Sequence, residues 1–172
     1  MLSKKVESLL NEQIEKEGYS SMLYIAMASW AEVNGYEGTS KWLYAQADEE
    51  KMHMLKFVGY INERDGKAIV PAIKQPPVEY GDLKKAFEEV LKHEEFISQS
   101  INEIVAVCIS EKDFTTQNFL QWFVNEQIEE EKNARQIIDK LKLNGDGNLY
   151  LFDKDIMSLR AAATAADAGG QN

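Results

Sequence analysis

Glu50 and His53 stand three residues apart in "QADEEKMHM". On a helix that spacing puts a carboxylate and an imidazole on one face, one turn apart, where together they can hold a divalent cation. His53 alone would read as a satisfied core histidine, and its place one turn from Glu50 makes it ligand-like. A second stretch, "NEQIEEEKN" at 125–133, packs Glu126, Glu129, Glu130 and Glu131 into six residues. Each like-charge pair at three- or four-residue spacing costs a helix about 0.2–0.5 kcal/mol. A solvated face is the simplest account of such a run, so the faces must be traced.

Stepping by fours and threes through 82–110 meets Leu83, Phe87, Val90, Glu94, Ile97, Ile101, Ile104 and Cys108, all apolar except Glu94. The same stepping through 38–64 meets Leu43, Ala47, Glu50, Met54, Phe57 and Ile61. Through 114–142 it meets Phe119, Phe123, Gln127, Glu130, Ala134, Ile137 and Leu141, and through 4–33 Leu10, Glu17, Tyr24 and Ala31. Each segment places one glutamate near mid-length on its inward face. Glu130 and Gln127 therefore belong inside, Glu126 and Glu129 lie beside that stripe in line with Trp122, and Glu131 points elsewhere.

Four buried carboxylates would be costly, and no lysine or arginine occupies these stripes. Protonation could neutralise them. Two divalent cations balance four carboxylates charge for charge and also satisfy their lone pairs. Carboxylates with one imidazole and no thiolate suit iron or manganese better than copper or structural zinc. Di-iron and di-manganese helical bundles use one Glu from each of two helices and a Glu-x-x-His from each of the other two. Glu17 and Glu94 fill the single positions and "EKMH" supplies one motif. The fourth segment departs, offering "QIEE" from Gln127 to Glu130.

The elements that must position these groups follow from the breaks. "NGYEG" at 34–38 and "SEKDFT" at 110–115 are short turns, so the first and second segments, and the third and fourth, form antiparallel hairpins. "DGKAIVPAIKQPPVEYG", 65–81, carries all three prolines and can extend about 55 Å at 3.3 Å per residue. A 28-residue helix is roughly 42 Å long, so this connection can run the length of a bundle and return the third helix parallel to the second. The expected fold is all-α, a four-helix bundle with one long crossover. A short fifth helix is expected over 153–163, within a single domain spanning 1–163, and a frayed polar tail over 164–172.

Composition agrees with these expectations. The 172 residues carry 29 acidic against 19 basic side chains, a net charge of −10 that disfavours nucleic acid and anionic membranes and suits cationic partners. No apolar run approaches a membrane span, and the start lacks a signal peptide's apolar block, so a cytoplasmic protein is expected. The lone Cys108 excludes an internal disulfide and a thiolate cluster, and reads as a small core residue.

In order and spacing, "LNEQIEKEGYSSMLYIAMASW", "QADEEKMHM", "KHEEFI", "FLQWFVNEQIEEEK", "IIDKLKL" and "LYLFDKD" resemble the haem-free bacterial ferritins over about residues 1–160. The resemblance implies iron storage, with Fe(II) oxidised by O2 or H2O2 at a ferroxidase centre and ferric mineral deposited inside a homo-oligomeric shell of twenty-four subunits. It also implies that the fifth helix lines the four-fold channels. Glu17, Glu50 and His53 would hold a first iron, and Glu50 would bridge to a second held by Glu94 and Glu130 near Gln127. Tyr24 matches the family's tyrosine beside that site. Glu49, Glu126 and Glu129, sharing Glu130, match a third iron site on the inner side of the shell. Haem is not expected: bacterioferritins bind it through a methionine directly after the first motif's glutamate, where this chain has Lys51, with Met52 one residue late. Competing readings are a rubrerythrin-like di-metal peroxidase without storage and a non-enzymatic scaffold with solvated glutamates. His93, beside Glu94 but off its stripe, reads as a surface residue.

Overall fold

The computed structural model describes residues 2–169. The described chain is helical: α1 Lys4–Val33, α2 Glu37–Glu63, α3 Leu83–Glu111, α4 Phe114–Asn144, a single 3-10 turn at Asp146–Asn148, and α5 Leu149–Gly169. The first four match the expected segments to within two residues. The fifth begins four residues earlier than expected and continues through much of the segment expected to fray. Residues 170–172 of that tail lie outside the described residues.

Local chemistry fixes three of the helix starts. Ser3 Oγ accepts from Val6 N at 3.2 Å, Asp82 Oδ1 from Lys85 N at 2.8 Å and Asp113 Oδ1 from Thr116 N at 3.0 Å, so α1, α3 and α4 start on side-chain caps. Helix α2 has no such cap of its own. Asp153 of α5 supplies it from across the bundle end, accepting from Gly38 N (2.9 Å), Thr39 N (2.8 Å) and Thr39 Oγ1 (2.7 Å). A Cβ at Gly38 would lie 1.8 Å from the Asp153 carbonyl oxygen, so only glycine allows this approach.

Cross-bundle contacts set the directions. Ser3 donates to Glu111 and Ser20 meets His93, making α1 and α3 antiparallel; Ser21 Oγ reaches the Ala47 carbonyl between α1 and α2. Tyr60 meets Thr116 while Gln46 meets Glu130, making α2 and α4 antiparallel. Hence α2 and α3 run parallel, as the long connection requires. That connection lies along α1: Lys67 N bonds Glu7 Oε1, Ile69 N bonds Asn11 Oδ1, Ile73 covers Gly18, and Tyr80 stacks edge-on to Trp30.

The apolar stripes do not merge into one core. One cluster holds Tyr24, Leu43, Phe87, Val90, Ile137 and Phe152, the last bringing α5 onto the bundle end. The other holds Leu10, Ile14, Phe57, Ile97, Ile101 and Phe123. Between them lies a polar layer at the mid-length of all four long helices.

Candidate metal centre

Each helix contributes to that layer where its stripe is interrupted. Glu17 comes from α1, Glu50 and His53 from α2, Glu94 from α3, and Gln127 and Glu130 from α4. All are buried, the four glutamates at 1%, 1%, 1% and 6% exposure. These values exclude solvated glutamates, the arrangement the scaffold reading requires.

One ligand atom each from Glu17, Glu50 and His53 lie within 4.8 Å of one another. His53 Nδ1 is 3.5 Å from Glu50 Oε2 and 3.9 Å from Glu17 Oε2. The imidazole packs edge-on against Trp122 (5.4 Å) and Phe123 (5.9 Å), and the Lys56 ammonium lies over the Trp122 ring. On the other side, Glu94 accepts from the Tyr24 hydroxyl and from Gln127 Nε2 at 2.9 Å, while Glu130 Oε2 accepts from Gln46 Nε2 at 2.5 Å. Two buried carboxylate oxygens, Glu17 Oε2 and Glu50 Oε1, have no hydrogen-bond partner. Buried polar atoms are almost always paired. Two orphans on carboxylates that flank one imidazole fit a cation held between them, and in the metal-free chain Glu17 and Glu50 hydrogen-bond each other through a shared proton.

The electrostatics agree. Burial is the largest cause raising the carboxyl pKa of all four glutamates above the usual 4.5, and Glu50 and Glu130 are pushed well above it. Glu94 adds its charge to the rise at both Glu50 and Glu130, and Glu17 adds to that at Glu50. His53 opposes the rise at Glu17 and Glu94, and the Tyr24 and Gln127 bonds oppose it at Glu94. Burial, then the Glu94 charge, raises the Tyr24 phenol well above its ordinary value. The layer concentrates negative potential that bound cations would relieve.

The remaining expected residues fall nearby. Glu49, Glu126 and Glu129 are half-buried. The charges of Glu49 and Glu126 contribute to raising Glu130, which places both close to the centre, and Glu129 follows Glu126 by one turn of α4. His93 is not a surface residue: it is half-buried between α1 and α3, with Nε2 2.7 Å from Ser20 Oγ, and burial lowers its pKa to about 4. Its face is set by the α1–α3 groove, which the α3 stripe alone does not define. The sequence reading missed Gln13 and Gln46. Both are buried, and each lies one turn before a layer glutamate, four residues ahead of Glu17 and Glu50. A polar residue one turn along an inward stripe was the signal available.

A family profile described as a ferritin-like domain matches residues 7–144. The chain is 46% identical over 165 residues to a probable bacterial non-haem ferritin-like protein of Haemophilus influenzae, covering 95% of this chain and all of that one. It is 46% identical over 161 residues to a bacterial non-haem ferritin of Campylobacter jejuni, covering 92% and 96%. An open-pore ferritin from the hyperthermophilic archaeon Archaeoglobus fulgidus superposes with a TM-score of 0.89 at 41% identity, covering 90% of this chain and 96% of that one. A helical bundle with a buried carboxylate layer at its centre is thus joined to similarity along nearly the whole chain. The chain belongs to the ferritin family. In class it is an iron-storage protein, similar to bacterial non-haem ferritins and to an archaeal ferritin. Among the described residues no helix is long and apolar enough to cross a membrane.

Proposed function

We propose that this ferritin oxidises Fe(II) within the carboxylate layer and stores the ferric product as mineral inside a hollow homo-oligomeric shell of twenty-four subunits. Glu17, Glu50 and His53 hold one iron, and Glu50 bridges to a second held by Glu94 and Glu130 beside Gln127. Glu49, Glu126 and Glu129, sharing Glu130, take a third. The observation that carries this reading is the pair of orphaned oxygens, Glu17 Oε2 and Glu50 Oε1, on carboxylates flanking His53, the only buried side-chain polar atoms without a hydrogen-bond partner among the described residues. Oxygen-rich ligation stabilises Fe(III) over Fe(II) and lowers the couple's potential. Two irons held together deliver two electrons to one oxidant, reducing O2 to peroxide or H2O2 to water. The second iron has no histidine, so it is held more weakly and suits a site that passes iron onward. Tyr24 orients Glu94 through its hydroxyl. Haem has no part in the reaction.

Rapid mixing of Fe(II)-loaded protein with O2 tests this directly. Wild-type protein should show a fast ferric absorbance phase and Glu50→Ala should lose it. Unchanged kinetics in the variant would remove Glu50 from the site and the two-iron reading with it. Particle size distinguishes storage from a di-metal peroxidase, since only the former needs a hollow shell.

A further inference from the structure

Glu17 is tied to the outside of the bundle by three successive hydrogen bonds. Lys16, half-buried at the α1–α3 groove, donates from Nζ to Ser100 Oγ at 2.5 Å. Ser100 donates to Gln13 Oε1 at 2.7 Å. Gln13 Nε2 donates to Glu17 Oε1, also at 2.7 Å. Gln13 and Ser100 are buried, and the Lys16 ammonium is steadied by the Phe96 ring, 5.7 Å from its centroid.

The polarity of this chain has one solution. A lysine ammonium has donors and no acceptor, so Ser100 Oγ must accept from it. The single hydroxyl hydrogen of Ser100 is then free for the Gln13 carbonyl oxygen. The Gln13 amide is thereby fixed with its NH2 group toward Glu17, where it occupies Oε1. The other oxygen, Oε2, is left unpaired and 3.9 Å from His53 Nδ1. Without the anchor at its carbonyl end, the amide can turn over and set oxygen against oxygen at Glu17.

We propose that Lys16 and Ser100 are positioning residues for the first iron. Acting through Gln13, they hold Glu17 in the rotamer that presents Oε2 beside His53. This rests on Glu17 being a metal ligand. Outer partners of metal-binding side chains contribute about 10–100-fold in metal affinity, which sets the scale of the effect.

The test is anaerobic Co(II) titration of the assembled, metal-free protein, followed by visible ligand-field absorbance. Gln13→Leu and Ser100→Ala should each weaken the histidine-containing position about 10–100-fold, and Lys16→Met should weaken it in the same direction by less. Lys16→Arg and Ser100→Thr, which keep the donors, should retain affinity. The position formed by Glu94 and Glu130 should be unaffected. Adding Ser100→Ala to Gln13→Leu should weaken binding no further, because both act through one amide. Unchanged affinity in both Ser100→Ala and Lys16→Met would overturn the proposal, as would equal weakening of the two positions or additive losses in the double variant. Glu17→Ala separates this from the underlying reading: if it binds Co(II) as wild type does, Glu17 is not a ligand and the metal-centre assignment fails first.

Discussion

Replacing Glu50 by glutamine should stabilise the metal-free protein, increasingly so as pH rises. Glu50 is 1% exposed, and burial followed by the Glu94 and Glu17 charges raises its pKa well above 4.5. In the folded chain it keeps a proton that the unfolded chain has released, so the unfolded state binds fewer protons and stability falls with rising pH. That loss begins above the ordinary carboxyl value of 4.5 and continues until the raised folded-state value is passed. Across this window a group protonated when folded and ionised when unfolded changes stability by about 1.4 kcal/mol per pH unit. Glutamine keeps the shape and removes the contribution, and it also relieves Glu130, whose pKa the Glu50 charge helps to raise. Wild type and Glu50→Gln should therefore have similar pH-dependent stability near 4.5 and diverge above it, the Glu50 proton contributing up to about 1.4 kcal/mol per unit. For a chain of this length that is about 2–4 °C in melting temperature per kcal/mol. Thermal unfolding of chelator-treated protein from pH 5 to 8 measures the divergence. Saturating Co(II) should reverse the order, because the metal binds ionised ligands and stabilises only the protein that keeps its site. Parallel pH profiles, or a metal-free wild type that gains on the variant as pH rises, would refute the argument.

Three further outcomes are expected. Asp153→Ala removes the side-chain acceptor that caps the start of α2 and should cost about 1–2 kcal/mol, read by denaturant unfolding. Glu129→Ala should preserve the first oxidation burst and change later turnover in repeated Fe(II) additions, and an altered first burst would count against a separate third site. Tyr24→Phe leaves Glu94 without its hydroxyl donor and should weaken the second metal position more than the first in Co(II) titration.

Much of this architecture is written in the period of the apolar residues. Glu94 has apolar neighbours on both sides along its stripe, so a helix that buries Val90 and Ile97 buries Glu94 with them. The same logic holds for Glu17, Glu50 and Glu130, and the prolines and length of 65–81 fix the direction of α3. What the stripes cannot show is the partner across the bundle. Gln46 lies one turn before Glu50, yet its amide is spent on Glu130 of α4, and Gln13 is oriented by Ser100 of α3. His93 leaves the α3 stripe but is enclosed by Tyr19 and Ser20 of α1. The cap that Asp153 of α5 gives the start of α2 is likewise a tertiary contact without local signature.

The most direct measurement is an anaerobic Fe(II) titration of metal-free protein, followed by exposure to O2 while ferric absorbance is recorded. The account predicts saturation at two or three irons per chain and a fast oxidation phase whose amplitude follows the first two. Absence of stoichiometric binding would mean that the buried glutamates are neutralised by protons alone, and that the layer is not a metal centre.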